Sequence, residues 1–211
     1  MVTLLTKKEI EQGIEFDDVA KKVWLIRHGQ STANAGAATE NHITIPLSID
    51  GQEQAKRISL SFQETPTLII NSPFLRTQQT AEPTIKRFFN VRREVWNVEE
   101  FTYLSPETCI GTTAAERKER VNQYWERLDP EYIDGQGAES FTMLLSRAQT
   151  AIERLSQIKS GFIVMFTHAQ FMRAMWVLNN SKGDDAKSLM SRFRELLRFE
   201  NCEIIKWSDE R

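Results

Sequence analysis

The sequence predicts an α/β fold, a three-layer α/β/α sandwich with a mainly parallel central sheet. Three observations carry this. Short apolar runs suited to buried strands recur along the chain (KKVWLI at 21–26, TLII at 67–70, GFIVMF at 161–166). Helix-length periodic segments separate them, which implies crossover connections and a parallel sheet covered on both faces. No repeat, low-complexity tract or proline-rich linker divides the 211 residues, so a single domain spanning 1–211 is expected.

The elements follow in order. Residues 1–20 are polar and read as an N-terminal extension with no role beyond a packing helix. The strand at 21–26 runs into RHGQSTAN, a polar loop of small residues. Residues 50–62 read as a helix, with Ala55, Ile58, Ser59 and Phe62 on one face and Asp50 with Glu53 as its N-terminal cap. After the strand at 67–70, Ser72 is placed to cap a helix with Pro73 in its first position, and Leu75, Gln78, Ala81, Ile85 and Phe88 continue its face to about residue 89. VRREVW at 91–96 is a third strand. The stretch 97–137 is irregular, with one helix at 114–128, and its 101–137 portion is expected to cover a pocket. A long helix at 139–158, the strand GFIVMF, a helix at 169–178 and an alternating strand at 198–207 complete the chain.

Composition restricts function. With 40% hydrophobic residues and a net charge of −2, the chain has the apolar content for a core and is not of the disordered class. The balance of 27 basic and 29 acidic side chains argues against a nucleic-acid partner. No apolar run approaches the ~20 residues that span a bilayer, and the N-terminus lacks a signal-like apolar core, so no membrane partner is expected. Cys109 and Cys202 are too few for a disulfide scaffold and read as buried thiols of a reducing, cytoplasmic compartment. Oligomeric state is not readable.

Ligands of open α/β sheets bind beyond the carboxyl ends of the strands. The first strand is followed by Arg27, His28, Ser31 and Asn34, the second by Arg76, the third by Glu99 and Glu100, and GFIVMF by Thr167 and His168. Parallel strands would gather two imidazoles, two guanidiniums and a carboxylate on one edge. That set suits phosphoryl transfer: a neutral imidazole is a nucleophile near pH 7. Arg27 and Arg76 disfavour protonation of His28 and neutralise phosphate oxygens. His168, if protonated, and the backbone N–H groups after His28 add donors. Glu100 or Glu99 would protonate the leaving oxygen and later activate water. No metal or other cofactor is required, because the arginines supply the positive charge. His42 lies in a polar loop and reads as solvated.

These residues carry a family resemblance. Arg27-His28-Gly29-Gln30-Ser31-Thr32-Ala33-Asn34 resembles the R-H-G-x-S-x-x-N motif of the histidine phosphatase superfamily, which includes the phosphoglycerate mutases. Pro46-Leu47-Ser48 with Gly51, Gln54 and Ala55 resembles the family's P-L-T-x-x-G-x-x-Q-A helix entry. Residues 72–81, SPFLRTQQTA, resemble its S-P-x-x-R-x-x-Q-T-A helix, Gly137-Ala138-Glu139-Ser140 its G-E-S helix start, and 199–205 its closing strand with Asn201. The resemblance spans about 22–207 and implies a phosphoglycerate mutase-like sandwich. It also implies His28 as phospho-accepting nucleophile, with Arg27, Arg76 and His168 completing a phosphate pocket and Asn34 and Ser31 as additional contacts. The L-x-E-x-x-x-G pattern maps onto 98–104 and favours Glu100 as acid/base, with Leu104 where glycine is usual. Thr167-His168-Ala169 stands in place of G-H-G and retains a backbone N–H at position 169.

The family's cofactor-dependent mutases resemble one another in a basic, glycine-rich stretch after the catalytic glutamate. Here that stretch is FTYLSPETCIGTT, without lysine or arginine before Arg117, which favours a phosphatase acting on a phosphorylated small molecule or phosphoprotein. A mutase and a non-catalytic phosphate-binding module are the alternatives. Phe101, Tyr103, Tyr124 and Trp125 are candidates to face a substrate, and Arg117 and Arg120 to meet a second anionic group.

Overall fold

The structure, a computed structural model, describes residues 20–181, 183–196 and 198–208. The packing helix expected in the N-terminal extension lies outside these residues, except Ala20, which bridges Ser160. In chain order the elements are β1 (Lys22–Arg27), α1 (Ile49–Ser61), β2 (Leu68–Asn71), α2 (Leu75–Arg87), β3 (Arg92–Val95), a 3-10 turn (Glu107–Cys109), α3 (Lys118–Arg127), α4 (Phe141–Gln157), β4 (Phe162–Thr167), α5 (Ala169–Asn180), α6 (Ala186–Glu195) and β5 (Ile204–Trp207).

The sheet order is β3-β2-β4-β1-β5. The first four strands are parallel, and β5 joins the edge antiparallel to β1. Every residue of β2 and β4 is buried, as central strands of a doubly covered sheet require. Successive side chains point to opposite faces, and the core divides accordingly. Val23, Leu25, Leu68, Ile70, Ile163 and Met165 pack with Phe141 and Leu144 of α4, Phe171 of α5 and Phe193 of α6. Ile26, Ile69, Phe162, Val164 and Phe166 pack with Ile58 of α1, Phe62 and Ala81 of α2. The three-layer α/β/α sandwich expected from the sequence is the observed architecture.

Several local expectations are corrected. The cap of α1 is Ser48, whose Oγ accepts from the Gly51 N–H, rather than Asp50 with Glu53. Ser72 does not cap α2, which begins at Leu75. The buried face of α2 is Arg76, Thr77, Thr80, Ala81 and Thr84, while Gln78 is exposed. This face meets loop backbone as well as sheet, so hydroxyls replace aliphatic groups: Thr80 Oγ1 donates to the Arg76 carbonyl and accepts from the Gly29 N–H at 3.0 Å. The helix expected at 114–128 starts only at Lys118. Helix α6 was not anticipated. β5 is shorter than the stretch 198–207, and Asn201 stands in a turn before it.

Backbone approaches backbone most closely where α1 begins. A Cβ on Gly51 would lie 2.0 Å from the Gln30 carbonyl oxygen, and one on Gly29 would lie 2.6 Å from the Gly51 carbonyl oxygen. Neither atom can retreat without moving the chain, so both positions need glycine. Gly51→Ala is expected to lower the unfolding free energy by about 1–3 kcal/mol through overpacking, read as a lower urea midpoint with an unchanged m-value; an unshifted midpoint would contradict the close approach.

Candidate active site

Strands β1 and β4 are adjacent and parallel, with Arg27 in register with Thr167. Each strand then delivers a histidine one residue beyond the last pair. The His28 N–H donates to the Thr167 carbonyl at 2.9 Å, and the rings lie 5.0 Å apart between centroids. His28 and His168 are buried.

Hydrogen bonds assign the His28 tautomer. Nδ1–H donates to the Gly29 carbonyl at 2.7 Å, leaving Nε2 as the lone-pair nitrogen, and the Arg76 Nε–H donates to it at 3.3 Å. Burial, then the Arg76 charge, holds His28 well below the usual histidine range despite the Gly29 carbonyl. His168 Nε2 is 2.7 Å from Ser72 Oγ, and its Nδ1 is buried with no partner among the described residues. Burial first, then Arg76 and His28, also holds His168 well below its ordinary value. This direction disfavours the protonated form of His168 that the sequence reading allows.

Arg76 also donates through Nη1 to the His42 carbonyl at 2.9 Å, and its guanidinium lies 4.9 Å from the Phe74 ring centroid. Burial lowers its pKa to about 10, so it stays cationic at neutral pH. His42 is not simply solvated: its carbonyl holds Arg76 and its ring meets Phe74 edge-on. Arg27 ends β1, donates through Nη1 to the Phe199 carbonyl at 2.6 Å, and has a buried Nε without a partner among the described residues.

The carboxylate brought to the histidines is that of Glu100. Candidate ligand atoms of His28, Glu100 and His168 all lie within 4.8 Å of one another. Glu100 Oε1 accepts from the N–H groups of Phe101 (3.2 Å) and Gln170 (3.0 Å). Its pKa is raised all the same, because burial outweighs Arg76, Arg27 and those two donors. Glu99 turns away to Arg147, at 3.4 Å. The three clustered residues have donor types that fit a divalent metal, but the adjacent Arg27 and Arg76 cations make the site better suited to an anion.

The loop after His28 is held both by its own side chains and by neighbouring helices. The Ser31 N–H donates to Asn34 Oδ1 (3.2 Å), and the Asn34 N–H donates to Ser31 Oγ (3.1 Å). The Gly29 and Gln30 N–H groups go to Thr80 Oγ1 and Gln54 Oε1, so the backbone donors expected for an anion at 29–31 are already engaged. Three positioning residues were not singled out from the sequence: Ser72 on His168, Thr80 on Gly29, and Asn201, whose amide donates to the His28 carbonyl at 3.0 Å. Ser72, Thr80 and Asn201 all stood inside quoted motifs, which was the only signal available.

The aromatic candidates divide. Phe101 and Tyr124 belong to the core, while Tyr103 and Trp125 are half-buried beside them. Burial, then Glu100, pushes the Tyr103 hydroxyl up to about 12. Arg117 is engaged by Thr112 and Arg120 by Thr108 and Asp134, so neither is a free anion ligand. A cavity of about 370 Å3 bounded by Thr67, Arg92, Trp96 and Arg154 lies along β3 and the start of β2, and its lining holds no histidine. Its Arg154 stacks on Trp96 at 3.8 Å and pairs with Glu94.

Two predictions follow from the buried imidazoles. Ser72→Ala strands His168 Nε2 without its partner and is expected to cost about 1–3 kcal/mol, measured by urea denaturation. Below about pH 6.5 the unfolded chain takes up protons at His28 and His168 while the folded chain resists them. Stability should therefore decline as pH falls from 6.5 toward 5.5, each histidine contributing up to about 1.4 kcal/mol per pH unit, with the raised Glu100 carboxyl offsetting part of that loss. Thermal melts across that range test this; a melting temperature that rises toward pH 5.5 would contradict it.

Comparison with known proteins places this geometry. The sequence model described as histidine phosphatase superfamily (branch 1) matches residues 23–188. A metal-independent phosphoserine phosphatase of Arabidopsis thaliana is 26% identical over 204 residues, covering 94% of this chain and 85% of that protein. Among solved structures, mycobacterial glucosyl-3-phosphoglycerate phosphatase superposes with a TM-score of 0.70 at 21% identity, over 90% of this chain and 93% of its own. Phosphoserine phosphatase from Entamoeba histolytica, in complex with 3-phosphoglyceric acid, gives 0.68 at 18% identity, over 88% and 89%. With the family match extending from β1 to α6 and including both histidines, the chain belongs to the histidine phosphatase superfamily.

Proposed function

We propose that the protein hydrolyses phosphomonoesters without a metal, through a phosphohistidine on His28 with Glu100 as general acid and base. The observation that carries this is the convergence of His28, Glu100 and His168, whose candidate reacting atoms lie within 4.8 Å of one another, with burial pushing the His28 pKa down and the Glu100 pKa up. A phosphate would sit between His28 Nε2 and Glu100, with its non-bridging oxygens on Arg27, Arg76 and His168 Nδ1–H. The unpartnered Arg27 Nε and His168 Nδ1 are the buried polar atoms such a group would satisfy. Asn34, with Ser31 fixing its backbone, is the additional contact at the rim.

In the first step Nε2 bonds to phosphorus, and the phosphorus–oxygen bond to the alcohol breaks. The leaving oxygen takes the Glu100 proton. In the second, water attacks phosphorus as Glu100 accepts a proton, the phosphorus–nitrogen bond breaks, and neutral His28 returns. The arginines stabilise charge on the equatorial oxygens throughout. Phosphorylated small molecules, phosphoserine among them, are the substrate class that the named relatives suggest. The stretch from 101 to 116 holds no lysine or arginine, which favours hydrolysis over mutase chemistry. An intact Glu100 favours turnover over a purely binding role. Residues 101–137 form the cover, tied to the nucleophile side where Thr39 bridges Ile110 and Thr112. The half-buried free thiols Cys109 and Cys202 suit a cytoplasmic setting; among the described residues no helix is long and apolar enough to cross a membrane.

Metal-free protein given an aryl phosphate should form an acid-labile phosphoenzyme, and His28→Ala should abolish both phosphoenzyme and turnover. Persistence of either in that variant refutes the nucleophile. Glu100→Gln should cost about 10²–10⁴ in rate for alkyl phosphates, but much less in the phosphorylation step of an aryl phosphate, whose leaving oxygen needs no proton. Equal losses on both ester classes would remove Glu100 from proton transfer.

A further inference from the structure

We infer that the cavity beside Glu100 receives the leaving alcohol and selects phosphomonoesters whose alcohol carries an ammonium group, with Glu99 as the countercharge. This rests on the proposed hydrolysis and adds the substrate's second determinant. The cavity, about 280 Å3, is lined among others by Phe74, Glu99, Glu100, Glu139, Met143 and Arg147. Its lining includes Glu100, whose carboxyl would meet the leaving oxygen, and Phe74, which also touches the His168 ring at 5.4 Å. The alcohol part of a bound ester therefore enters it.

Its one guanidinium is fully engaged by the protein. Arg147 Nε and Nη2 donate to Glu139 at 3.0 and 2.7 Å. Its Nη1 donates to the Asn97 carbonyl at 3.1 Å, and Nη1 and Nη2 both lie 3.4 Å from the Glu99 carbonyl. A ligand carboxylate would find no donor left on Arg147. Glu139 is equally occupied, since its Oε1 also accepts from the Thr102 N–H at 3.1 Å. Glu99 differs: only Oε2 has a partner among the described residues, Nη1 of Arg147 at 3.4 Å. Counting Glu99 and Glu139 alone, two carboxylates face the one Arg147 guanidinium, and the surplus charge is negative. Phe74 and Met143 supply apolar wall for the short carbon chain between phosphate and ammonium.

The test uses three esters of similar size: O-phosphoethanolamine, n-propyl phosphate with a methyl in place of the ammonium, and phosphoglycolate with a carboxylate. Calorimetric binding to the His28→Ala protein reads the cavity without turnover. O-phosphoethanolamine should bind about threefold more tightly than n-propyl phosphate, as one partly exposed charge pair allows, and phosphoglycolate more weakly than both. Adding Glu99→Gln should bring the first ratio to about one, and Glu99→Lys should reverse the order in favour of phosphoglycolate. Equal binding of the ammonium and methyl esters, no binding of any ester, or a ratio unmoved by either Glu99 substitution overturns the assignment. Loss of the hydrolysis reading shows separately, as wild-type protein inactive on an aryl phosphate while the binding ratio stands.

Discussion

The whole site depends on the parallel pairing of β1 with β4. Six register pairs, from Lys22 with Phe162 to Arg27 with Thr167, align the carboxyl ends of two strands far apart in the chain. Once that ladder forms, the His28 N–H reaches the Thr167 carbonyl and the two imidazoles must lie side by side. A shift of one residue would turn every side chain of β1 to the other face of the sheet. Val23 and Leu25 would leave the cluster they share with Phe171, and Ile26 the one it shares with Phe166. The division of the core thus fixes the register, and the register fixes the chemistry.

Around that pair the protein tolerates a buried polar cluster because its members compensate one another. Two guanidiniums near two imidazoles would be costly if the imidazoles were charged, and both rings are held neutral instead. Glu100 sits at the start of α5, accepting from the Gln170 N–H, yet burial keeps its proton affinity high. Burial thus shifts the two neighbouring groups in opposite directions, the imidazole of His28 down and the carboxyl of Glu100 up. The surrounding hydroxyls complete the arrangement: Ser72 anchors His168, Thr80 anchors Gly29, and Thr167 Oγ1 donates to the Val98 carbonyl, tying the end of β4 to the loop that carries Glu100.

Much of this was legible in the chain. Continuous apolar runs marked β2 and β4, since strands covered on both faces have no polar side, and the residue after each strand marked the histidines. The errors arose where local signals competed with tertiary contacts. Ser72-Pro73 is a sound helix start by composition, but the hydroxyl is drawn to His168, and the helix waits until Leu75. Periodicity suggests an α2 face of Leu75, Gln78, Ala81, Ile85 and Phe88, whereas the buried positions are Arg76, Thr77, Thr80, Ala81 and Thr84, and only Ala81 is shared. The amides after His28 looked available, and side chains from α1 and α2 already hold two of them.

The sequence by itself determined the fold class, the order of the strands along the chain and the chemical type of the groups at their ends, because burial periodicity and residue type are local properties. The family pattern over 98–104 favours Glu100 over Glu99, but only the tertiary structure supplies the physical reason: Arg147 on α4 draws the Glu99 carboxylate away while the amides of Phe101 and, at the start of α5, Gln170 hold that of Glu100. The lowered proton affinity of His168 has the same origin, since it follows from burial and from the nearness of Arg76, and neither can be read from the residues flanking it.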